Sequence, residues 1–346
     1  MRATKTSAIV MGVGVRALAG LAVWLALAVG PTPVLGAESG KVVVDGSSTV
    51  QPIMTASAEM LRAKHPDIHV SVGISGTGGG FKKFVDEKPE LRTDISNASR
   101  PIKPVELEKS QKLGVQFFEI PIALDGIAVV AHPSNTFCGH LTVEELKRMW
   151  EPGSKISNWK EIRPGFPDLP LKLYGPGTDS GTFDYFTEAI MGKERASRSD
   201  YMASENDNML VQGVSGDKGA LGYFGFSYFE VNQGKLKLLA VDPGDGKPIT
   251  PTGQTIRDGT YKPLSRPLFI YVNKTSYARP EVKTFVDFVL ANARSIVEHP
   301  RVMYIALPDE LYSLGKERLQ KGKTGTVFGE PPEGPRKSLL ELYRSR

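Results

Sequence analysis

The chain has 346 residues, 40% hydrophobic, 23% charged and 8% aromatic. This globular composition excludes collagen-like, coiled-coil and wholly disordered chains, and the length suits two domains. The net charge of +5 is unevenly placed: +3 lies in residues 1–37 (Arg2, Lys5, Arg16, no acid) and +4 in Gly315–Arg346, so the body between carries −2. A mildly acidic body excludes a broad basic face for nucleic acid.

The basic start is followed by the apolar run Ala17–Val29 and the small residues Val34-Leu35-Gly36-Ala37. This is the pattern of a secretory signal over residues 1–37, with cleavage near Ala37. The run is shorter than the roughly 20 apolar residues that span a bilayer. The single cysteine, Cys138, lies far from the cleavage site, so it offers no N-terminal lipid anchor and no internal disulfide. The expectation is a soluble, exported, periplasmic protein.

Short β-rich runs then alternate with helical patterns, which predicts an α/β chain. Lys41–Val44 reads as a strand and Gln51–Lys64 as a helix with Ile53, Met54, Ala58 and Leu61 on one face. Ile68, Val70, Val72 and Ile74 alternate as a half-buried strand. A helix is predicted from Phe81 to Glu87, after a glycine run, then strands at Asp94–Ala98 and Val115–Ile120. Ile122–Ala131 is nearly continuous in apolar residues, as in a strand buried on both faces. Thr142 and Glu145 form a capping box that opens a helix to Trp150. Leu171–Tyr174 leads into a second glycine-rich turn and a helix over Thr182–Met191. Leu268–Val272 is a late strand, followed by helices near Glu281–Asn292 and Pro308–Gln320. The last residues, 322–346, read as a basic, loosely held Gly/Pro-containing tail whose Leu339, Leu340, Leu342 and Tyr343 suit one docked helical turn.

One pattern occurs three times: a strand, a turn rich in glycine and hydroxyl residues, then a helix start. The turns are Asp45-Gly-Ser-Ser-Thr-Val50, Ser75-Gly-Thr-Gly-Gly-Gly80 and Gly175-Pro-Gly-Thr-Asp-Ser-Gly-Thr182. Glycine lets backbone N–H groups turn toward one point, and a helix start presents unpaired N–H groups with the positive end of the dipole. Any one of them alone reads as a plain helix N-cap. Three together predict a site for a small oxyanion with many acceptor oxygens. Arg100, where the chain turns after Asn97-Ala98-Ser99, offers a planar fork suited to a tetrahedral anion; the other reading is a surface ion pair.

Catalytic motifs fit poorly. Gly177-Thr-Asp-Ser180-Gly181 has one residue too many for a nucleophile elbow, and Gly73-Ile-Ser75-Gly76 lacks one after the serine. Gly315–Thr324 resembles a phosphate-binding Gly-Lys-Thr loop, but six residues separate its glycines and no strand precedes it. His65 and His69 are parted by Pro66, and His132, Cys138 and His140 make only a weak metal candidate.

The segments Asp45–Val50, Gly73–Lys83 (GISGTGGGFKK), Thr93–Lys103 (TDISNASRPIK), Leu173–Phe186 (LYGPGTDSGTFDYF) and Ala220–Phe224 (ALGYF) resemble the phosphate-binding proteins of phosphate ABC transporters. The resemblance is to the cyanobacterial-type branch with the Asp-Gly-Ser-Ser-Thr-Val start, and runs from about residue 41 to 310. It implies a type II periplasmic-binding-protein fold, with two α/β lobes joined by two crossover strands and a ligand in the cleft. Lobe 1 would be 38–122 plus 268–321 and lobe 2 123–267, with crossovers near Ile122–Asp125 and Pro263–Leu268. The implied partners are inorganic phosphate and a membrane ABC permease, for a monomer that is not an enzyme and has no cofactor, metal or nucleic acid.

Carried over residue by residue, the resemblance places phosphate ligands at Ser48, Thr49 and the Val50 amide, at Thr77, and at Ser180, the Gly181 N–H and Thr182. Two positions depart from the best-known pattern. Arg100 stands where that pattern has an aspartate after Ala-Ser, and Pro176 where it has an arginine four residues before the serine. An aspartate in such a site accepts the proton of HPO₄²⁻ and repels sulfate. Asp179 is assigned that role, with Asp45 and Asp125 as alternates.

Overall fold

The computed structural model describes residues 40–178, 180–329 and 338–346. The segment 1–37, read above as a secretory signal, Asp179 and residues 330–337 of the expected tail lie outside the described residues.

Ten strands are joined through one shared strand. In chain order they are β1 (Gly40–Gly46), β2 (Ile68–Val72), β3 (Ile95–Ala98), β4 (Phe117–Ala131), β5 (His140–Thr142), β6 (Lys172–Pro176), β7 (Met202–Ser204), β8 (Ala220–Gly225), β9 (Lys237–Asp242) and β10 (Ser265–Asn273). The order is β2-β1-β3-β10-β4-β8-β6-β7, with β9 also on β4 and β5 on β9. β1 pairs in parallel with β2 and β3, and β6 with β7 and β8. The shared strand β4 pairs antiparallel with β10 along Phe117–Gly126, then with β8 along Ile127–Ala131.

β4 merges the two strands expected at 115–120 and 122–131 into one, buried at every position. Pro121 does not break it, because the register with β10 shifts between Leu268 and Phe269 at that point. A bulge is where a ladder tolerates a residue that cannot donate.

Thirteen α-helices are described: α1 (Gln51–Arg62), α2 (Gly76–Phe84), α3 (Pro104–Lys112), α4 (Val143–Trp150), α5 (Gly181–Met191), α6 (Asp207–Gly216), α7 (Phe226–Glu230), α8 (Gly253–Arg257), α9 (Lys274–Tyr277), α10 (Pro280–Ala291), α11 (Ala293–Val297), α12 (Asp309–Gln320) and α13 (Leu339–Arg344). α4 opens with the expected reciprocal Thr142–Glu145 cap. α2 differs from expectation, since the glycines before Phe81 belong to the helix. A Cβ on Gly80 would lie 2.5 Å from the Gly46 Cα, so this helix packs on β1 only with no side chain there.

The apolar core falls into two large clusters. One joins β1, α1 and α10 with the first part of β4 and most of β10, through Val42, Val44, Ile53, Ile120, Ile122, Ile270 and Phe285. The other begins at Leu124 on β4 and collects Trp150, Phe186, Tyr223, Leu239 and Tyr261; Leu307, Leu311 and Tyr312 reach into it from the later chain. A smaller cluster around Phe81, Phe84, Phe117 and Tyr271 lies over the sheet near α2.

The described parts of the expected tail, 322–329 and 338–346, are anchored, not loosely held. Gly325 N donates to Phe117 O at 2.8 Å and Phe328 meets Phe269 edge-on. α13 docks as the apolar pattern predicts, with Tyr343 3% exposed and Arg344 forked onto Glu310 at 2.6 Å. The wholly buried Glu119 ties these pieces together, accepting from Thr326 Oγ1 at 2.6 Å, Val327 N at 2.8 Å and the Tyr271 hydroxyl at 2.7 Å. Burial pushes the Glu119 carboxyl up, and these donors pull against it.

Candidate functional site

Each of the three turns leads from a strand to a helix N-terminus: β1 to α1, β2 to α2 and β6 to α5. At α1 the N-cap is Val50 and at α2 it is Ser75, and neither makes a side-chain cap hydrogen bond. The plain N-cap reading therefore holds only for the third turn, where Ser180 Oγ accepts from Thr182 N at 3.2 Å. Ser75 instead donates its hydroxyl to Asp45 Oδ1, and Lys83 Nζ meets Asp45 Oδ2 at 2.6 Å. Asp45 is thereby engaged in holding the second turn against the first.

The first and third turns meet. Thr49 Oγ1 donates to Gly181 O at 3.2 Å, and Ser48 Oγ donates to Asp184 Oδ2 at 3.2 Å. A Cβ on Gly181 would lie 2.5 Å from both the N and Oγ1 of Thr49, so glycine is required for this approach. Thr49 is 2% exposed and Val50 fully buried. In the second turn Thr77 is 2% exposed, lies 3.0 Å from Ser99 Oγ and accepts from Ser99 N at 3.2 Å.

Arg100 follows Ser99 and lies beside the second turn, its Nη2 3.9 Å from the position of a Cβ on Gly78. Its fork is bound to Glu106 at 2.9 and 2.8 Å, which is the ion pair weighed as the alternative reading, though an inward-facing one with Arg100 17% and Glu106 15% exposed. Burial works against the Arg100 charge, but Glu106 and the more distant Glu188 outweigh it and raise its pKa.

A second arginine, absent from the sequence reading, reaches the first turn directly. Arg266 on β10 is 9% exposed, and its Nη2 donates to Thr49 Oγ1 at 2.9 Å. Its guanidinium lies 3.5 Å from the centre of the Tyr185 ring on α5. Its Nε is 3.5 Å from Asp125 Oδ2, and its Nη1 is 4.0 Å from Glu188 Oε2. Asp125 is 1% exposed, and neither carboxylate oxygen has a hydrogen-bond partner. Burial pushes its carboxyl up against the pull of Arg266. In sequence, residues 125 and 266 fall in the two expected crossovers, and the β10–β4 register is what sets Arg266 opposite Asp125.

Cys138 is buried, and that burial pushes its thiol up to about 12. Among the described residues no group of three or more His, Cys, Asp or Glu is arranged to hold a metal ion, and no helix is long and apolar enough to cross a membrane.

The sheet thus has two halves, and a glycine-rich turn from each half meets the other beside the strands that join them. A family model for the PBP superfamily domain matches residues 32–293. The chain belongs to the PBP superfamily. Protein SphX of Synechococcus elongatus is 46% identical over 300 residues, covering 86% of this chain and 87% of that protein. Phosphate-binding protein PstS of Staphylococcus saprophyticus is 38% identical over 287 residues, 82% and 86% of the two chains. The crystal structure of a possible phosphate binding protein from Planctomyces limnophilus covers 83% of this chain and 100% of its own, with 47% identity and a TM-score of 0.78. The motif resemblance and the α/β binding-protein fold expected from it agree with these relatives.

Proposed function

We propose that this chain is the solute-binding protein of a phosphate importer. After export and loss of residues 1–37 it takes inorganic phosphate into the cleft between the two half-sheets. It then delivers the anion to a membrane ABC permease, as a monomer and without turnover. The two-lobe division, 38–122 plus 268–321 against 123–267, follows the change of apolar cluster near Ala123/Leu124 and between Leu264 and Leu268, while Ala293, Ile305, Leu307, Leu311 and Tyr312 of the first lobe pack in the second lobe's cluster.

The observation that carries this reading is the meeting of the first and third turns, Thr49 on Gly181, at the starts of α1 and α5, where α1 (like α2 at the second turn) lacks a side-chain cap. Their N–H groups and the hydroxyls of Thr77, Ser180 and Thr182 are donors without net charge, those of Ser48 and Thr49 join them by exchanging their bonds to Asp184 and Gly181 for the anion, and Arg100 supplies the charge. Hydrogen bonds to a charged group contribute about 1.5–3 kcal/mol each. Five to eight of them, less the costs of association and closure, give about 8 kcal/mol, or micromolar binding.

Asp179 is the proposed acceptor of the phosphate proton. Of the alternates, Asp45 is occupied by Ser75 and Lys83, and Asp125 faces Arg266. Equilibrium dialysis with radiolabelled phosphate tests the reading. One equivalent retained, displaced by unlabelled phosphate but not by sulfate, is expected; no retained label from the folded, anion-stripped protein contradicts it.

A further inference from the structure

We propose that Arg266 is a positioning residue that makes anion capture at the first turn and the approach of the third-turn helix a single event. The inference rests on the phosphate-binding reading above and adds a residue and a coupling to it.

Arg266 and Asp125 stand directly opposite each other in the β10–β4 register, where both strands pass from one half of the sheet to the other. From that place one guanidinium serves both sides of the cleft. Nη2 holds the Thr49 hydroxyl of the first turn at 2.9 Å, while the plane lies 3.5 Å from the Tyr185 ring centre, one helical turn into α5. Only arginine's flat, forked cation offers an edge to a hydroxyl and a face to an aromatic ring together. A lysine's point charge satisfies one of them.

The pair is also incompletely satisfied. The Nε–Oδ2 separation of 3.5 Å is long for a charge-assisted hydrogen bond, and both Asp125 oxygens and Arg266 Nε lack a hydrogen-bond partner. Charges buried this deeply are normally fully bonded, because leaving them short is costly. Glu188, at 4.0 Å, is a second acid near the guanidinium, and the more distant Glu194 also feels its charge. An anion at the Thr49 turn lies next to an arginine whose charge its carboxylate partners hold only at long range. The face of that same guanidinium is covered by Tyr185 of α5, so the anion shares its charge partner with the third-turn helix.

The test compares the wild type with Arg266→Lys and with the double variant Arg266→Met/Asp125→Leu, following phosphate titration and the change in radius of gyration on adding phosphate by small-angle scattering. The double variant removes both charges together, which avoids an uncompensated buried carboxylate and keeps the fold. It is expected to lose phosphate affinity by about 30-fold or more and to show little contraction at saturating phosphate. Arg266→Lys keeps the pairing with Asp125 and is expected to fall between, about tenfold weaker with reduced contraction. Wild-type affinity and contraction in the folded double variant overturn the proposal. If that variant does not fold, wild-type behaviour of Arg266→Lys overturns it. Absence of phosphate binding by the wild type is a separate outcome: it removes the transport reading itself, and the coupling with it.

Discussion

Gly181 offers the sharpest test of cleft geometry, because it stands where the third turn touches the first. Replacing it with alanine places a Cβ 2.5 Å from the N and Oγ1 of Thr49 and 2.6 Å from its Cα, against backbone that cannot swing aside. The two turns must separate by about an ångström to restore ordinary contact, which breaks the 3.2 Å hydrogen bond from Thr49 to Gly181 O. That bond contributes about 1 kcal/mol and overpacking costs about 1–3 kcal/mol, so the closed arrangement loses about 2–4 kcal/mol. Phosphate affinity then falls about 30- to 1000-fold. Gly181 does not have a left-handed φ and opens a helix, so alanine is otherwise acceptable and the melting temperature without phosphate should move little. Isothermal titration and a melting curve on Gly181→Ala separate the two effects. Wild-type phosphate affinity in a folded Gly181→Ala protein would refute closure of these turns on the ligand.

Arg100→Ala should weaken phosphate by about tenfold or more, a larger loss than from Thr77→Ala, because a buried anion is left with less compensating charge; unchanged titration would remove Arg100 from the site. Asp179→Ala should erode the preference for phosphate over sulfate in competition titrations, and an unchanged margin would move the proton-accepting role to another acid. Tyr343→Ala should cost about 3–5 kcal/mol in urea unfolding, since it empties a buried aromatic site and strips a contact from Glu119, while phosphate affinity stays near wild type. Loss of binding in that variant would instead tie α13 to the cleft. Asp207 is held up to about 7 by burial, with Glu205 and Asp125 adding like charge. A raised carboxyl favours the folded state below its ordinary pKa of 3.8, and that contribution is lost as pH rises through about 7. Asp207→Asn should therefore be about 2–4 kcal/mol more stable than wild type at pH 8 and nearly equal to it at pH 4, read from urea midpoints. A difference independent of pH would contradict this.

Local chemistry made much of this molecule legible from its residues. Thr142 and Glu145 announce the start of α4, and the apolar run after Pro121, interrupted only at Asp125-Gly126, announces a strand buried on both faces. Glycine and hydroxyl residues after three strands mark the candidate turns by their repetition, since any one of them alone reads as a plain N-cap, which is what Ser180 is. The features that were missed depend on partners far away in sequence. The glycines of α2 look like a loop until Gly46 is seen to need the space beside Gly80. The tail looks loose because its composition is polar and rich in glycine and proline, whereas what holds it is Glu119, more than 200 residues earlier. Arg266 is a lone arginine before a proline, and nothing local separates it from a surface residue. Its burial comes from β10 lying in register with β4, which sets it against Asp125 and within reach of Thr49.

The central claim is that turns from both halves of the sheet close on one phosphate. Isothermal titration of the anion-stripped protein with phosphate, alone and in excess sulfate, tests it most directly. One-to-one binding at micromolar or tighter affinity, unmoved by sulfate, is the predicted result. No heat with phosphate from protein shown to be folded and stripped, or displacement of phosphate by sulfate at comparable concentration, would contradict it.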